Sequence, residues 1–185
     1  MSENLIYFRD GELIAENGSA RAYRMDGKLY LEKGRGHTLW AHENEILQYI
    51  EQLKDYPRGN CLEIGLGLGI ASRYILSFPN VDSLTTIEKD MDVILVQQKA
   101  NSIVDKRHRI VNADGLLYAY QTKKMYDFIF LDFYTHIDDE TLPEITDMAN
   151  ACRRILKPNG KMVGWIDPAT SGEHYRYFIR IVEDS

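Results

Sequence analysis

Apolar positions along the chain follow two different rhythms. Up to about residue 40 they form short runs, each broken by an Asp-Gly pair. These runs are Tyr7-Phe8-Arg9-Asp10-Gly11-Glu12-Leu13-Ile14 and Ala22-Tyr23-Arg24-Met25-Asp26-Gly27-Lys28-Leu29-Tyr30-Leu31. Asp-Gly between apolar residues signals a hairpin, because both turn residues accept positive φ. Residues 1–40 are therefore expected to form a small antiparallel β appendage. Glu43 to Leu53 carries Ile46, Leu47, Ile50 and Leu53 at helical spacing, which predicts an amphipathic helix with those four residues as its apolar face. Pro57 and Gly59 end it.

From residue 60 the rhythm alternates between short apolar runs and helical periods. Strands are predicted at Cys61–Ile64, Ser83–Ile87, Arg109–Val111, Asp127–Leu131 and Met162–Ile166. Between them, helices are predicted at Ile70–Phe78, Met91–Ala100, Gly115–Gln121 and Thr141–Leu156. Lys157-Pro158-Asn159-Gly160 reads as the turn that stops the last of these. The tail from Glu173 to Val182 fits a helix or an edge strand equally well. Such alternation predicts an α/β, Rossmann-like parallel sheet with helices on both faces over residues 41–185.

Composition narrows the setting. The 185 residues carry a net charge of −6, which argues against a nucleic-acid partner, since phosphate binding needs clustered Lys and Arg. No apolar run reaches roughly 18 residues and no charged-then-apolar leader is present, so neither a membrane span nor secretion is expected. Cys61 and Cys152 read as buried hydrophobes of a reducing compartment, and the expected location is the cytoplasm. A homo-oligomer is compatible with all of this.

The chemistry centres on Glu63-Ile64-Gly65-Leu66-Gly67-Leu68-Gly69, where a strand passes through three alternating glycines into a helix. At the carboxyl end of a parallel strand, such a loop is where open α/β sheets bind nucleoside ligands. A dinucleotide fingerprint would place its third glycine one position later, where Ile70 stands. A phosphate-cradling loop would need a Lys, and none occurs between Gly59 and Gly69. Glu63 would repel a pyrophosphate and suits a cation. S-adenosylmethionine, with a sulfonium and an ammonium and no phosphate, fits; Glu63, Gly65, Gly67 and Gly69 would then face it. Glu88, closing the second strand, can accept from both ribose hydroxyls, or it is a solvated strand-end acid. Asp114, followed by Gly115, can accept from the adenine amino group, or it simply caps the next helix. Asp132 ends the apolar run Phe128-Ile129-Phe130-Leu131 at the same edge, where a lone acid needs a function.

Together these segments resemble the class I S-adenosylmethionine-dependent methyltransferase superfamily over roughly residues 40–167. Several details are similar to its spermidine-synthase, or aminopropyltransferase, branch: Thr85-Thr86-Ile87-Glu88-Lys89-Asp90, the Asp114-Gly115 pair, the β appendage, and His42-Glu43 upstream. The chain departs from that branch at Leu66 and Leu68, where an Asp is usual among the glycines. It departs again at Ala41, where a Tyr precedes His-Glu, and at Thr135, where a second acid follows Asp132. The sequence ends before the branch's last strand pair, so either a shorter sheet or a truncated chain is expected. Asp132 with Gly164-Trp165-Ile166-Asp167 also resembles the metal-dependent O-methyltransferases, but Pro168 replaces their Asn, and no metal is expected.

The resemblance implies a transferase with S-adenosylmethionine, or its decarboxylated form, as donor and a small molecule as acceptor. Methyl transfer is the leading expectation, with Asp132 receiving a proton from the acceptor or orienting it. Aminopropyl transfer is the alternative. A non-catalytic nucleoside-binding module is the third reading, motivated by the altered acceptor residues. Tyr118, Tyr120 and Tyr126 are expected to pack, whereas Tyr134, His42 and His136 are open between a role in the acceptor pocket and none.

Overall fold

The computed structural model describes residues 11–34 and 38–182. An antiparallel sheet comes first, with β1 Glu12–Asn17, β2 Ala20–Met25, β3 Lys28–Lys33 and β4 Thr38–His42 in the order β1-β2-β3-β4. Asp26 and Gly27 join β2 to β3 with φ values of 51° and 77°, the two left-handed residues that an Asp-Gly hairpin turn requires. Residues 7–10 of the other expected hairpin lie outside the described residues. The turn before β2 instead runs through Gly18 and Ser19, with Asn17 paired to Ala20.

The larger sheet is parallel throughout, as expected. Its strands are β5 Gly59–Ile64, β6 Val81–Glu88, β7 His108–Asn112, β8 Tyr126–Leu131 and β9 Leu156–Gly164, in the order β7-β6-β5-β8-β9. The helices are α1 Ile46–Leu53, α2 Ile70–Leu76, α3 Met91–Ala100, α4 Gly115–Gln121, α5 Leu142–Arg153 and α6 Gly172–Val182. Strand alternation divides the core. Cys61, Phe128, Phe130 and Val163 face one side with α2, α3 and the antiparallel sheet; Leu62, Ile64, Ile129, Leu131 and Met162 face the other with α5 and α6. All four residues of Phe128-Ile129-Phe130-Leu131 are fully buried. Burial of each such side chain contributes about 1.5–3 kcal/mol, so β8 anchors the sheet.

Successive strands are added on one side of β5 and then on the other. A crevice consequently opens at the carboxyl ends of β5 and β8, where the chain reverses its direction of winding. The site lies there.

Three local expectations need correction. The predicted apolar face of α1 is only half buried: Leu53 is buried and Ile46 packs against the core, but Leu47 and Ile50 are 69% and 45% exposed, and Tyr49 is buried instead. Glu45, at the end of the 3-10 turn Glu43–Glu45, is buried with it. The helix is held by polar bonds: Trp165 Nε1 donates to Gln48 (2.9 Å), and Gln52 exchanges two bonds with the Ile166 backbone. The predicted turn at residues 157–160 lies within β9, because the ladder skips from Tyr126↔Leu156 to Phe128↔Lys161. Pro158 has no N–H to donate and Asn159 sits at φ 65°, so the chain loops outward there and α5 ends earlier, at Arg153. The tail is a helix that buries Phe178 and Val182.

Candidate active site

A cavity of about 510 Å³ occupies the crevice, roofed by β4 and α1 and floored by the ends of β5, β6, β8 and β9. Gly65 begins its floor. Its φ is +99°, and a Cβ there would lie 1.9 Å from the carbonyl oxygen of Asp132. Only glycine lets the β5 and β8 ends come this close. The Asp132 N–H then donates to the Ile64 carbonyl (2.8 Å), which pins the acid to the loop.

Gly67, Leu66 and Leu68 also line the cavity. Gly69 does not, and its expected place against the cofactor is corrected: it starts α2 facing Gln97 and Ile103. Glu63 requires the same correction. The alternation that points Ile64 one way points Glu63 to the opposite face, beneath α2, where it is wholly buried. Its Oε2 accepts from the hydroxyls of Ser72 and Thr86, the latter at 2.6 Å, and Thr86 Oγ1 in turn lies 2.9 Å from His108 Nε2. Burial pushes the Glu63 carboxyl up to about 8. Glu63 thus ties β5, β6 and α2 together behind the loop.

The remaining acids do reach the cavity. Glu88 accepts the N–H of Leu66 on Oε2 (3.0 Å) and that of Asp90 on Oε1 (2.8 Å). Each oxygen keeps a further lone pair for a ligand, while burial raises the carboxyl above its usual range. Asp114 is both a cap and a lining residue: Oδ1 accepts from Leu117 N–H (2.9 Å) at the start of α4, and Gly115 lies beside it. Asp132 Oδ2 accepts the Tyr49 hydroxyl at 2.9 Å. Burial lifts Asp132 to about 7, with the Tyr49 bond opposing the rise and the charge of Glu88 adding to it.

The sequence reading missed Tyr49 and Glu45. Their i, i+4 spacing places both on one side of a helix, and an acid and a phenol sharing the side that faces Asp132 was the available signal. The Tyr49 hydroxyl is also 3.2 Å from Glu45 Oε2. Burial, reinforced by the charge of Asp132, pushes Glu45 up to about 8. Tyr134 lines the cavity and donates to the Trp165 carbonyl (2.7 Å). His136 is exposed, beside Asp138, and is not among the lining residues. Tyr118 and Tyr126 pack together through their hydroxyls (2.6 Å). Among the described residues no group of three or more His, Cys, Asp or Glu could hold a metal ion, and no helix is long and apolar enough to cross a membrane.

Four raised carboxyls make stability depend on pH. Where folded Glu45, Glu63, Glu88 and Asp132 still hold protons that the unfolded chain has lost, folding binds protons, so stability falls as pH rises. The window runs from the ordinary carboxylate range to about 8. His42 and His108, both lowered by burial, act in the opposite sense, but only up to about pH 6.5, above which both are neutral folded or unfolded. Thermal melts of the ligand-free protein should therefore show Tm falling from about pH 6.5 to 8.5. Glu63→Gln should flatten the decline; an unchanged slope would show that Glu63 is ionised in place.

No family model matches the chain. In sequence it is similar to the polyamine aminopropyltransferases of Shigella boydii and Escherichia coli, each 25% identical over 170 residues. These alignments take in 87% of this chain and 54% of each relative, so the chain spans about half the length of the curated relatives it matches. In fold it is similar to spermidine synthase from Thermotoga maritima, with a TM-score of 0.67 at 20% identity over 92% of this chain and 64% of that one. A spermidine synthase in complex with a transition-state analogue gives 0.71 at 19% identity, over 92% of this chain and 65% of that one. The chain is thus similar in sequence to polyamine aminopropyltransferases and in fold to spermidine synthases.

Proposed function

We propose that the chain transfers an aminopropyl group from decarboxylated S-adenosylmethionine to an amine. The observation that carries this reading is the charge of the cavity. Glu45, Glu88, Asp114, Asp132, Glu144 and Asp167 line it, against Lys89 as the one Lys or Arg among its described lining residues. A donor bearing a sulfonium and a primary ammonium suits such a field, as does a cationic amine acceptor. The carboxylate of S-adenosylmethionine itself would meet repulsion there.

Gly65 and Gly67 admit the donor's alkyl arm close to the backbone, Glu88 accepts from the ribose hydroxyls, and the free oxygen of Asp114 accepts from the adenine amino group beside Gly115. Asp132 takes a proton from the acceptor ammonium. The freed nitrogen lone pair attacks the carbon next to sulfur, the C–S bond breaks, and its electron pair returns to sulfur as a neutral thioether. Alignment of nitrogen, carbon and sulfur at about 3–3.5 Å supplies much of the acceleration. Because Asp132 is held near neutrality, it takes up and releases that proton near physiological pH.

Methyl transfer is the second reading, carried by Leu66 and Leu68 standing where the aminopropyltransferase pattern has an acid. Offering both donors together with a series of linear amines, and identifying the nucleoside released, separates the two. Methylthioadenosine is expected, and S-adenosylhomocysteine would select methyl transfer instead.

A further inference from the structure

Three oxygens meet at the roof of the cavity and only one of them has a proton of its own. The Tyr49 hydroxyl lies 2.9 Å from Asp132 Oδ2 and 3.2 Å from Glu45 Oε2. A phenol donates one hydrogen bond; its second bond must be one it accepts. With both carboxyls ionised, one of these contacts would bring two lone pairs together within a buried site that also holds two negative charges. The arrangement is satisfied when one carboxyl keeps a proton and donates it to the phenol oxygen. The shorter contact is to Asp132, which marks Asp132 as the acceptor of the phenol proton and Glu45 as the carboxyl that stays protonated.

We propose that Glu45 is the proton store of a relay running from Asp132 through Tyr49 to Glu45 and out past His42. The proposal rests on Asp132 being the base for the acceptor amine. At rest Glu45 O–H donates to Tyr49, and Tyr49 donates to ionised Asp132. When the acceptor's N–H bond breaks, its proton forms an O–H bond on Asp132, which no longer needs the phenol's proton. Glu45 releases its own proton outward; Asp132 then donates to Tyr49 and Tyr49 to Glu45. The net change is one proton moved from the acceptor to solvent, without passing the reacting atoms. Glu45 Oε1 is 3.8 Å from His42 Nε2, and the His42 side chain is 27% exposed. His42 sits at the outer end of the path, and burial, with the Lys28 charge adding to it, keeps the imidazole neutral and able to accept.

The other charged groups facing this path reinforce its direction. Glu88 faces Asp132 from the end of β6, Glu63 lies below Tyr49, and Lys28 faces His42 from β3. The charge of Glu88 at the inner end and a cation at the outer end favour holding a proton inside at rest, and releasing it only after a second has arrived.

Two measurements test the relay. In the ligand-free protein, carboxyl NMR titration should find Glu45 protonated and Asp132 ionised at about pH 7.5, where ordinary carboxyls are ionised. Two ionised carboxyls at that pH would overturn the shared proton, whatever the activity proves to be. Glu45→Gln preserves the resting bonds, since its amide N–H can donate to Tyr49, yet it cannot receive the second proton. Transfer in a single turnover should then stay within about twofold of wild type, while kcat falls about tenfold or more and Glu45→Asp restores part of it. Parallel loss in both regimes would mean that Glu45 only shapes the cavity, and equal kcat would mean that the proton leaves another way. If wild-type protein releases no nucleoside from either donor with any amine, the functional reading falls and the relay's task with it; the titration still decides whether the proton is shared.

Discussion

Asp132→Asn should lower kcat by roughly 10²–10⁴-fold, the contribution of a positioned general base, and leave donor binding nearly intact. The substitution is close to isosteric. The Asn carbonyl oxygen still accepts from Tyr49, and the backbone bond from residue 132 to the Ile64 carbonyl is unaffected. What is lost is an oxygen able to take a proton. The account therefore expects a split: initial rates collapse while the rise in Tm on adding donor persists, since that rise reports native-state binding alone. Activity within a few-fold of wild type would remove Asp132 from its role and leave the acidic lining as a binding device only. Loss of both activity and donor binding would assign it to holding the donor.

Gly65→Ala is the second large effect. Its Cβ would stand 1.9 Å from the Asp132 carbonyl oxygen, 2.6 Å from the carbonyl carbon and 3.2 Å from Phe133 Cα, at a φ of +99° that L side chains rarely adopt. Nothing flexible is in the way; these three nearest atoms are all backbone, so β5 and β8 must part at the very point where the base is attached. Backbone strain and overpacking each cost about 1–3 kcal/mol, so a loss of roughly 2–6 kcal/mol is expected, with donor binding abolished. Gly67→Ala is the matched control. At φ +50° its Cβ would meet only the Ala41 side chain, at 3.2 Å, and denaturant unfolding should show a much smaller loss. Equal losses at both positions would mean that the close approach of the two strand ends is not what Gly65 secures.

Much of this architecture could be read along the chain because its signals are local. Continuous apolar runs such as Phe128–Leu131 can only be strands covered on both faces, and Asp26-Gly27 can only be followed by a returning strand. The alternation of strands and helices then placed Glu88, Asp114 and Asp132 at one edge of the sheet, and all three line the cavity. What escaped depended on contacts distant in sequence. Hydrophobicity assigned Ile46, Leu47, Ile50 and Leu53 to the buried side of α1, and Leu47 and Ile50 are exposed. The side actually buried was selected by Asp132, which lies 83 residues from Tyr49, and by Trp165 and Ile166. Glu63 was misplaced for a different reason. Its sequence position touches the loop, but its side chain obeys strand alternation and turns beneath α2. Strand alternation, which sets Cys61 and Leu62 on opposite faces of the sheet, sets Glu63 on the face of Cys61.

The departures from the aminopropyltransferase pattern acquire a physical meaning in this light. Ala41 leaves room above Gly67, and the phenol that reaches Asp132 comes from Tyr49 on the following helix. Thr135 is no acid, but Glu45, Glu144 and Asp167 bring carboxylates to the same cavity from other elements. Carboxylates thus line the cavity in a redistributed pattern.

The nucleoside released from the donor shows directly which group leaves the sulfur. With both S-adenosylmethionine and its decarboxylated form supplied alongside linear amines, mass analysis should find methylthioadenosine, and an amine heavier by one aminopropyl unit. S-Adenosylhomocysteine accompanied by a methylated product would contradict the account.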